Sequence, residues 1–580
     1  MHWFRQRKNS VNSEEKRESP VYDQAETDPN ELIPDRKLGK GYNDYFNGDI
    51  YEETPCKQTQ DWETPETTNS TKMPYLMHVK SLSIGWPHLR YLAEWMDVTT
   101  SPTKWQLIKD LPNLEEIREE RAGRTKVKAI DFVSGQPNLK MQHISDSDDL
   151  AWHLDQPAVP GATRLYVVED LSRDVIEHLG SKLDIDPLFF REHINDYTWY
   201  NTRDPWVELP DLDIVSRSRS YFRLTYMQPR YFTTRESFQE ALKQAGRFNV
   251  LRRLDEDNEH ESLFDDKSAT VALVRSKASL WIRRASNTQQ AVGVLLIDPS
   301  ITEGFPLWRG YRPFRNSPTP SDKTPFEVPP RTGLFEDLVF WIQQTSQQDI
   351  DAIEHNPNAM AFRILEIICA EWLTLSRYIT ARLGQIEWEI ESPERFQVKR
   401  LDFQRESMNF NTSLKKLHTW RRRLPIYKAM VANTHTKLFP SHSPPLSGRR
   451  DCIADLRKDF EIVAGHIDDL LSRTERIAAV ATAVTAIEES RRAIEQNKTL
   501  GRLTYLAVIF APLSFVSSFF SMSDDLSGLT QTIWVYFCVA VPISFFVYLL
   551  VDKNWTNNMQ SAYNKTKEVK HNAGIFDRKH

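Results

Sequence analysis

The side chains of this chain best placed to do chemistry lie near its C-terminal end. Asn497, Leu500, Leu503, Ala507, Ala511, Ser514, Ser518 and Ser521 recur at steps of mostly three and four, so on a helix they share one face. A face of small and polar groups can line a water-filled path. Small residues can equally pack one helix against another, and the residues alone leave both readings open. Immediately after stand Ser521, Met522, Ser523, Asp524 and Asp525, whose paired carboxylates would concentrate cations. Other chemistry is thinly represented. No glycine-rich phosphate loop, HExxH or GxSxG motif occurs, which argues against an enzyme. Cys56, Cys369, Cys452 and Cys538 are far apart and match no zinc spacing, so isolated thiols are expected. His435 and His442 flank a proline-containing segment and read as loop residues rather than metal ligands.

The elements that must position these residues follow from charge and periodicity. Leu503 to Ser523 is a run of 21 uncharged residues, and Leu526 to Val551 one of 26. About 20 residues cross the hydrocarbon of a bilayer, so both runs are expected to span a membrane. A pair of buried core helices is the weaker alternative. Arg491, Arg492, Lys498 and Arg502 precede the first run, and Lys553, Lys565, Lys567 and Lys570 follow the second, while the loop between them carries only acids. By the positive-inside rule both ends are cytosolic and the loop faces out. Mean hydropathy is negative and hydrophobic residues make up 40% of the 580, so any membrane part is a minority of the chain. A formal net charge of −6 gives no pull towards nucleic acid. The first residues have no apolar core of a secretory signal, and Glu14, Glu15 and Glu18 oppose a mitochondrial one.

Residues 1–75 lack apolar periodicity and read as a disordered tail. Residues 76–331 read as an α/β domain. Leu165–Val168 is a strand candidate, and Ser172 an N-cap for a helix through about Leu183. Ala278–Arg284 and Ala291–Ile297 form a hairpin split at Ser286-Asn287-Thr288. Eight prolines in 299–331 mark a loop. Residues 332–448 read as helical: Gly333–Gln347, Ala361–Glu391 closed by Pro393, and Arg395 to about Leu438 interrupted near Pro425. From Arg449 one very long helix is expected. Ile453, Leu456, Phe460, Val463, Ile467, Leu470, Thr474, Ile477, Ala481, Val484 and Ile487 form a coiled-coil-like stripe along it. No proline falls in it before Pro512, which would kink it inside the apolar run. Stalk 449–502, spans 503–523 and 533–551, external loop 524–532 and cytosolic tail 552–580 complete the layout.

Leu503-Thr-Tyr-Leu-Ala-Val-Ile-Phe-Ala-Pro-Leu-Ser-Phe-Val-Ser-Ser-Phe-Phe-Ser-Met522 resembles the first transmembrane helix of the CorA family of magnesium channels. That family's pattern is Leu-Thr, Ile-Phe-x-Pro-Leu-Thr-Phe, and an aromatic before Gly-Met-Asn. More weakly, Val168-Glu-Asp-Leu171 and Leu183-Asp-Ile-Asp-Pro187 look like segments of the cytosolic domain of fungal members. The resemblance implies a homopentamer in the bilayer: a cytosolic α/β funnel on five long stalk helices, each continuing into a pore helix. It implies transport of magnesium or another divalent cation, with no cofactor and no nucleic acid. It places Asn497 at the inner mouth, Leu500, Leu503 and Ala511 at a hydrophobic constriction, Ser514 as a polar ring, and Ser521 to Ser523 at the outer mouth. It makes Asp455, Asp459, Asp468 and Asp469 candidates for regulatory magnesium between subunits, against the weightier reading of solvated faces on a charged helix. The sequence departs where Gly-Met-Asn becomes Ser521-Met522-Ser523, which loosens the expected hold on a hydrated magnesium ion. The zinc-transporting ZntB branch and a non-conducting membrane-anchored structural or sensor protein are the alternatives. The plasma membrane is the expected location, with a vacuolar or other organelle membrane open.

Overall fold

The computed structural model describes residues 73–100, 111–135, 139–156, 161–195, 209–257, 269–286, 289–321, 327–391, 403–439, 451–520 and 529–551. The expected N-terminal tail up to residue 72, the 524–532 loop up to residue 528, and the 552–580 tail lie outside them; the tail expectation is corrected at its end, where Pro74 and Tyr75 open a helix and Tyr75 is buried. The chain divides into two compact units, Met1–Arg476 and Ile477–His580.

In the first unit the described strands are β1 (Lys126–Val133), β2 (Lys140–Ile144), β3 (Ala162–Glu169), β4 (Tyr221–Phe232), β5 (Leu254–Glu256), β6 (Thr270–Arg283), β7 (Val292–Ile297) and β8 (Phe305–Pro306). The helices are α1 (Pro74–Leu82), α2 (Arg90–Val98), α3 (Leu114–Ala122), α4 (Ser147–Asp155), α5 (Arg173–Leu183), α6 (Pro187–Ile194), α7 (Asp213–Ser218), α8 (Arg235–Arg247), α9 (Leu334–Gln343), α10 (Gln347–His355), α11 (Phe362–Glu391), α12 (Phe403–Leu438) and α13 (Cys452–Asp455). Then α14 runs Arg457–Phe520, and α15 is Leu529–Val551.

The sheet order is β2-β1-β3-β7-β6-β4-β8, with β5 added to β6. All pairings are antiparallel except β3 with β7. The central strands are apolar on both sides because both faces are covered: all eight residues of β3 and all six of β7 are buried. One face carries Tyr166, Val168, Val292, Val294 and Leu296, packed with Leu92, Trp95, Ile176, Leu179 and Phe190 from α2, α5 and α6. On the other face Gly293 lies under Met360, where an added Cβ would come within 2.7 Å of the Met Cε. Helix α8 closes the β4–β6 end through Phe238, Ala241 and Ala245 against Phe232, Ala272 and Val274.

The expected hairpin is present and longer than its apolar runs suggested: β6 begins at Thr270 and pairs with β7 from Ala278 onward. Helix α5 has the expected bounds. Ser172 occupies the N-cap position, yet its hydroxyl makes no capping bond; side-chain caps are made instead by Asp146, Asp186, Thr234, Ser346 and Asp451 on α4, α6, α8, α10 and α13. The expected helix 333–347 is α9, which ends at Gln343; Ser346 then caps a separate helix, α10, that begins at Gln347. The proline-rich stretch is a loop apart from β8 and a 3-10 turn at Leu307–Arg309.

Two expectations about the long helices are corrected. Helix α12 is not interrupted near Pro425 but passes through it. Pro425 sits on the exposed face, where solvent can take the carbonyl that proline leaves without a donor, while Leu424 and Tyr427 stay buried. The single helix expected from Arg449 is broken at Leu456, the C-cap of α13, before α14 begins. The apolar stripe also has a different destination from a seam between subunits. Phe460, Val463, Ile467, Leu470 and Thr474 are all buried within one chain. There the start of α14 packs with α11 and α12: Phe460 meets Phe439, Lys428 pairs with Asp468 at 2.7 Å, Arg421 with Glu475 at 3.0 Å, and the Arg473 Nε with Glu387 at 2.9 Å. Farther along, Val484 is half-buried and Ile487 exposed.

In the second unit, the Tyr536 hydroxyl of α15 donates to the Leu513 carbonyl of α14 at 3.4 Å, and Val516 and Ala540 are buried. Among the described residues no helix is long and apolar enough to cross a membrane.

Candidate functional site: the polar face of the C-terminal long helix

Helix α14 carries every described member of the face read from the sequence. Asn497, Leu500, Ala507, Ala511, Ser514 and Ser518 are all exposed. Counting about 100° per residue, these six centre on the side of the helix roughly opposite Leu513 and Val516, the side occupied by α15. Phe510 and Phe515, both exposed, flank the face. The helix therefore packs against its neighbour through bulky residues and turns small and polar ones away. The side chains of Leu503 and Pro512, and residues Ser521, Met522, Ser523, Asp524 and Asp525, lie outside those described. The helix bounds run through position 512.

Asp455, Asp459, Asp468 and Asp469 are all exposed, and Asp468 is held by Lys428. Among the described residues of one chain, no three His, Cys, Asp or Glu groups converge on a point where a metal ion would sit. His435 approaches Glu461 at 3.8 Å, and His442 lies outside the described residues. Cys369 and Cys452 are buried free thiols and Cys538 an exposed one; burial pushes the Cys369 thiol up to about 12.

The sequence reading missed a set of buried ion pairs inside the first unit. Asp298, at the end of β7, accepts from Arg252 Nε at 2.6 Å, Arg252 Nη2 at 2.8 Å and the Lys277 backbone N–H at 2.6 Å. His193 stands 3.5 Å away and its other ring nitrogen meets the Ser279 hydroxyl at 3.0 Å. Burial, with Arg252 and Lys277 nearby, holds His193 well below its ordinary value, so it is neutral. Asp257 receives Arg382 Nε at 2.7 Å and the Tyr378 hydroxyl, tying the β5 end to α11. Arg164 of β3 grips Asp131 of β1 through two bonds of 2.6 and 3.0 Å. The available signal was an acid closing an apolar run, as in Leu295-Leu-Ile-Asp298, but nothing in the sequence pairs it with Arg252.

Glu371 of α11 gives a pH prediction. Burial, and then the nearby Asp337 carboxylate, push it up to about 8, against the opposing pull of Arg230 and Arg331. The folded chain then binds this proton more tightly than the unfolded chain, so stability falls as pH rises from the ordinary carboxylate range through about 8. The thermal midpoint is expected to be higher near neutral pH than in mild alkali, and Glu371→Gln is expected to flatten that slope. Equal slopes in the two proteins would show that Glu371 is ionised throughout.

Residues 341–552 match the family model described as CorA-like Mg2+ transporter protein. The matched segment contains α11, α12 and the polar face of α14. Among solved structures, the chain is similar to "The complete structure of CorA magnesium transporter from Methanocaldococcus jannaschii" at 12% identity, covering 73% of this chain and 97% of that one, with a TM-score of 0.34. It is similar to "structure of the full-length CmaX protein" at 11% identity, covering 74% and 97%, with a TM-score of 0.33. Likeness at that level defines neither the fold nor the function. No curated protein matches the chain.

Proposed function

We propose that the chain transports divalent cations across a membrane, magnesium first among them, through a homopentameric pore lined by α14. The observation that carries this reading is the coincidence of the CorA-like match over 341–552 with a small, polar face on α14 that its partner α15 leaves uncovered. Two helices of one chain cannot enclose a path, so the uncovered face needs other subunits to close a ring. The uncharged runs Leu503–Ser523 and Leu526–Val551 are each long enough to span, with both ends cytosolic and Asp524 and Asp525 outside. An inside-negative potential favours entry of a divalent ion by about 4.6 kcal/mol per 100 mV, twice the single-charge figure. The outer ring therefore need not bind tightly; it must admit a hydrated ion and release it.

Ion flux into proteoliposomes under an inside-negative potential tests this. Magnesium, cobalt and nickel are expected to enter and compete, and sodium is not. Serine hydroxyls at 521 and 523 reach less far than amides, so selectivity among the three is expected to be weak. The Ser521→Gly, Ser523→Asn double substitution is expected to shift competition towards magnesium. A native protein that excludes cobalt as well as the double variant does would remove the serine ring from the account. The same departure, Ser-Met-Ser for Gly-Met-Asn, favours one second reading, a non-conducting membrane-anchored sensor, to which the absence of flux of any divalent ion would point. Flux of zinc in preference to magnesium would favour the ZntB branch.

A further inference from the structure

From Ala486 to Lys498 every described residue of α14 is exposed in the single chain. A bare helix of that length is marginal in water, because helical stability in proteins comes mostly from packing an apolar face. Nor is the stretch polar throughout. Val480, Ile487 and Ile494 stand seven residues apart and expose 56%, 57% and 52% of their surface. The side of the helix that is buried just before this stretch is a different one, carrying Ile477 and Ala481. All of these residues belong to the second unit.

A seven-residue apolar repeat fits a left-handed supercoil, which runs at about 3.5 residues per turn. At that period Ala483, Ser490 and Asn497 fall on one line. Val480, Ile487 and Ile494 stand about 50° to one side of it, and Ala479, Ala486 and Ala493 about 50° to the other. All of them are exposed. One flank is therefore branched and bulky, and the other small. Charge follows the same division: Arg491 borders the branched flank and Glu489 the small one, and both are exposed. A pair seated on the branched stripe about a two-fold axis would set Ile487 against Ile487 and leave the alanines bare. A ring instead turns one flank of each copy to one neighbour and its other flank to the other. In a ring of five the neighbours lie about 54° to either side of the line to the axis, close to where the two flanks stand.

We propose that α14 of one copy packs against α14 of the next through Val480, Ile487 and Ile494 on one helix and Ala479, Ala486 and Ala493 on the other. Branched side chains seated over alanines let the two helices approach closely, and Arg491 of one copy comes opposite Glu489 of the next at the outer edge of the seam. Ala483, Ser490 and Asn497 then face the axis and continue the polar face of α14 away from the apolar run. This seam rests on the homo-oligomeric reading above and supplies the residues that close the ring. It is distinct from the stripe of Phe460 to Thr474, which is filled within one chain.

Disulfide cross-linking of the full-length protein in detergent tests it. Cys56 and Cys538 are first replaced by serine, and Cys369 and Cys452 are buried. Ala486→Cys combined with Ile487→Cys is oxidised with copper phenanthroline and separated without reductant. A ladder of cross-linked chains that stops at one closed species is expected. Either cysteine alone is expected to give on the order of ten-fold less product, because like positions on neighbouring helices stand well beyond the roughly 4 Å between the Cβ atoms of a disulfide. Size before oxidation checks assembly, and Ala479→Cys with Val480→Cys repeats the trial one heptad earlier. A dimer from Ile487→Cys alone, with no ladder from the pairs, would place the stripe on a two-fold seam and overturn the proposal. Monomers from both pairs would overturn it too, and leave the stripe to a different polypeptide. The conduction reading fails separately: a ladder from a protein that carries no divalent flux keeps the seam and removes conduction, and flux through a protein whose pairs stay monomeric does the reverse.

Discussion

Leu500→Asp is expected to raise basal divalent-cation flux by on the order of ten-fold, the change produced by lowering a barrier about 1.4 kcal/mol. Leu500 lies on the polar face of α14, with 59% of its surface exposed in the single chain. In the proposed ring, five leucines at this level would exclude water and so block ions by dewetting. A carboxylate at each position would wet the constriction and attract the cation. The five charges would also repel one another, so assembly is checked first by size in detergent. Flux is then measured in proteoliposomes, with toxicity in cells as a second readout. An assembled Leu500→Asp oligomer that stays silent would count against conduction through this face and for the non-conducting reading.

Asp298→Ala is expected to destabilise the first unit by about 3–5 kcal/mol, the usual result of removing one partner of a buried ion pair. Asp298 and Arg252 expose only 3% and 9% of their side chains. Loss of the carboxylate would leave Arg252 Nε and the Lys277 N–H without their acceptor and the guanidinium without its counter-charge, while Nη1 and Nη2 keep the carbonyls of Asn195, Leu251 and His193. Much of the damage is therefore an uncompensated buried charge rather than a lost attraction. This has a consequence that can be measured. Arg252→Met combined with Asp298→Leu should be less damaging than the two single changes taken together, because neither charge is then stranded. Thermal unfolding followed by tryptophan fluorescence reads both. The single variant should fall by at least about 3 °C for a unit of this size, whose unfolding entropy is roughly 1 kcal/mol/K, and the double variant by less. A single variant within a degree of the native midpoint would show that Arg252 reaches water.

Helix α5 was legible because an apolar rhythm of three and four followed a plausible cap, and the β6–β7 hairpin because two β-rich runs flanked a polar turn. The uncharged runs at the C-terminus and the resemblance they carry were equally plain. Such local signals are properties of consecutive residues, and any fold containing the segment must respect them. The stripe from Ile453 to Thr474 shows where this stops. Its periodicity established that one face of the helix is buried, and its similarity to a coiled-coil seam suggested neighbouring subunits. The face is in fact filled by α11 and α12 of the same chain, with Phe439, Lys428, Arg421 and Glu387 as partners.

What the sequence determined by itself was the strand at Leu165–Val168, the β6–β7 hairpin, helix α5 and the helical character of the chain beyond Gly333, with where charge is excluded and which small and polar residues share a face of α14. What only the tertiary structure decided was the parallel pairing of β3 with β7 and the grip of Arg252 on Asp298 and of Arg382 on Asp257. The physical reason is range. Backbone preference and hydrophobic periodicity act over a few residues and are written in order along the chain. Ion pairs, cavities and sheet order depend on which distant segments meet, and that is settled when the whole apolar surface is buried at once rather than by any one stretch of residues.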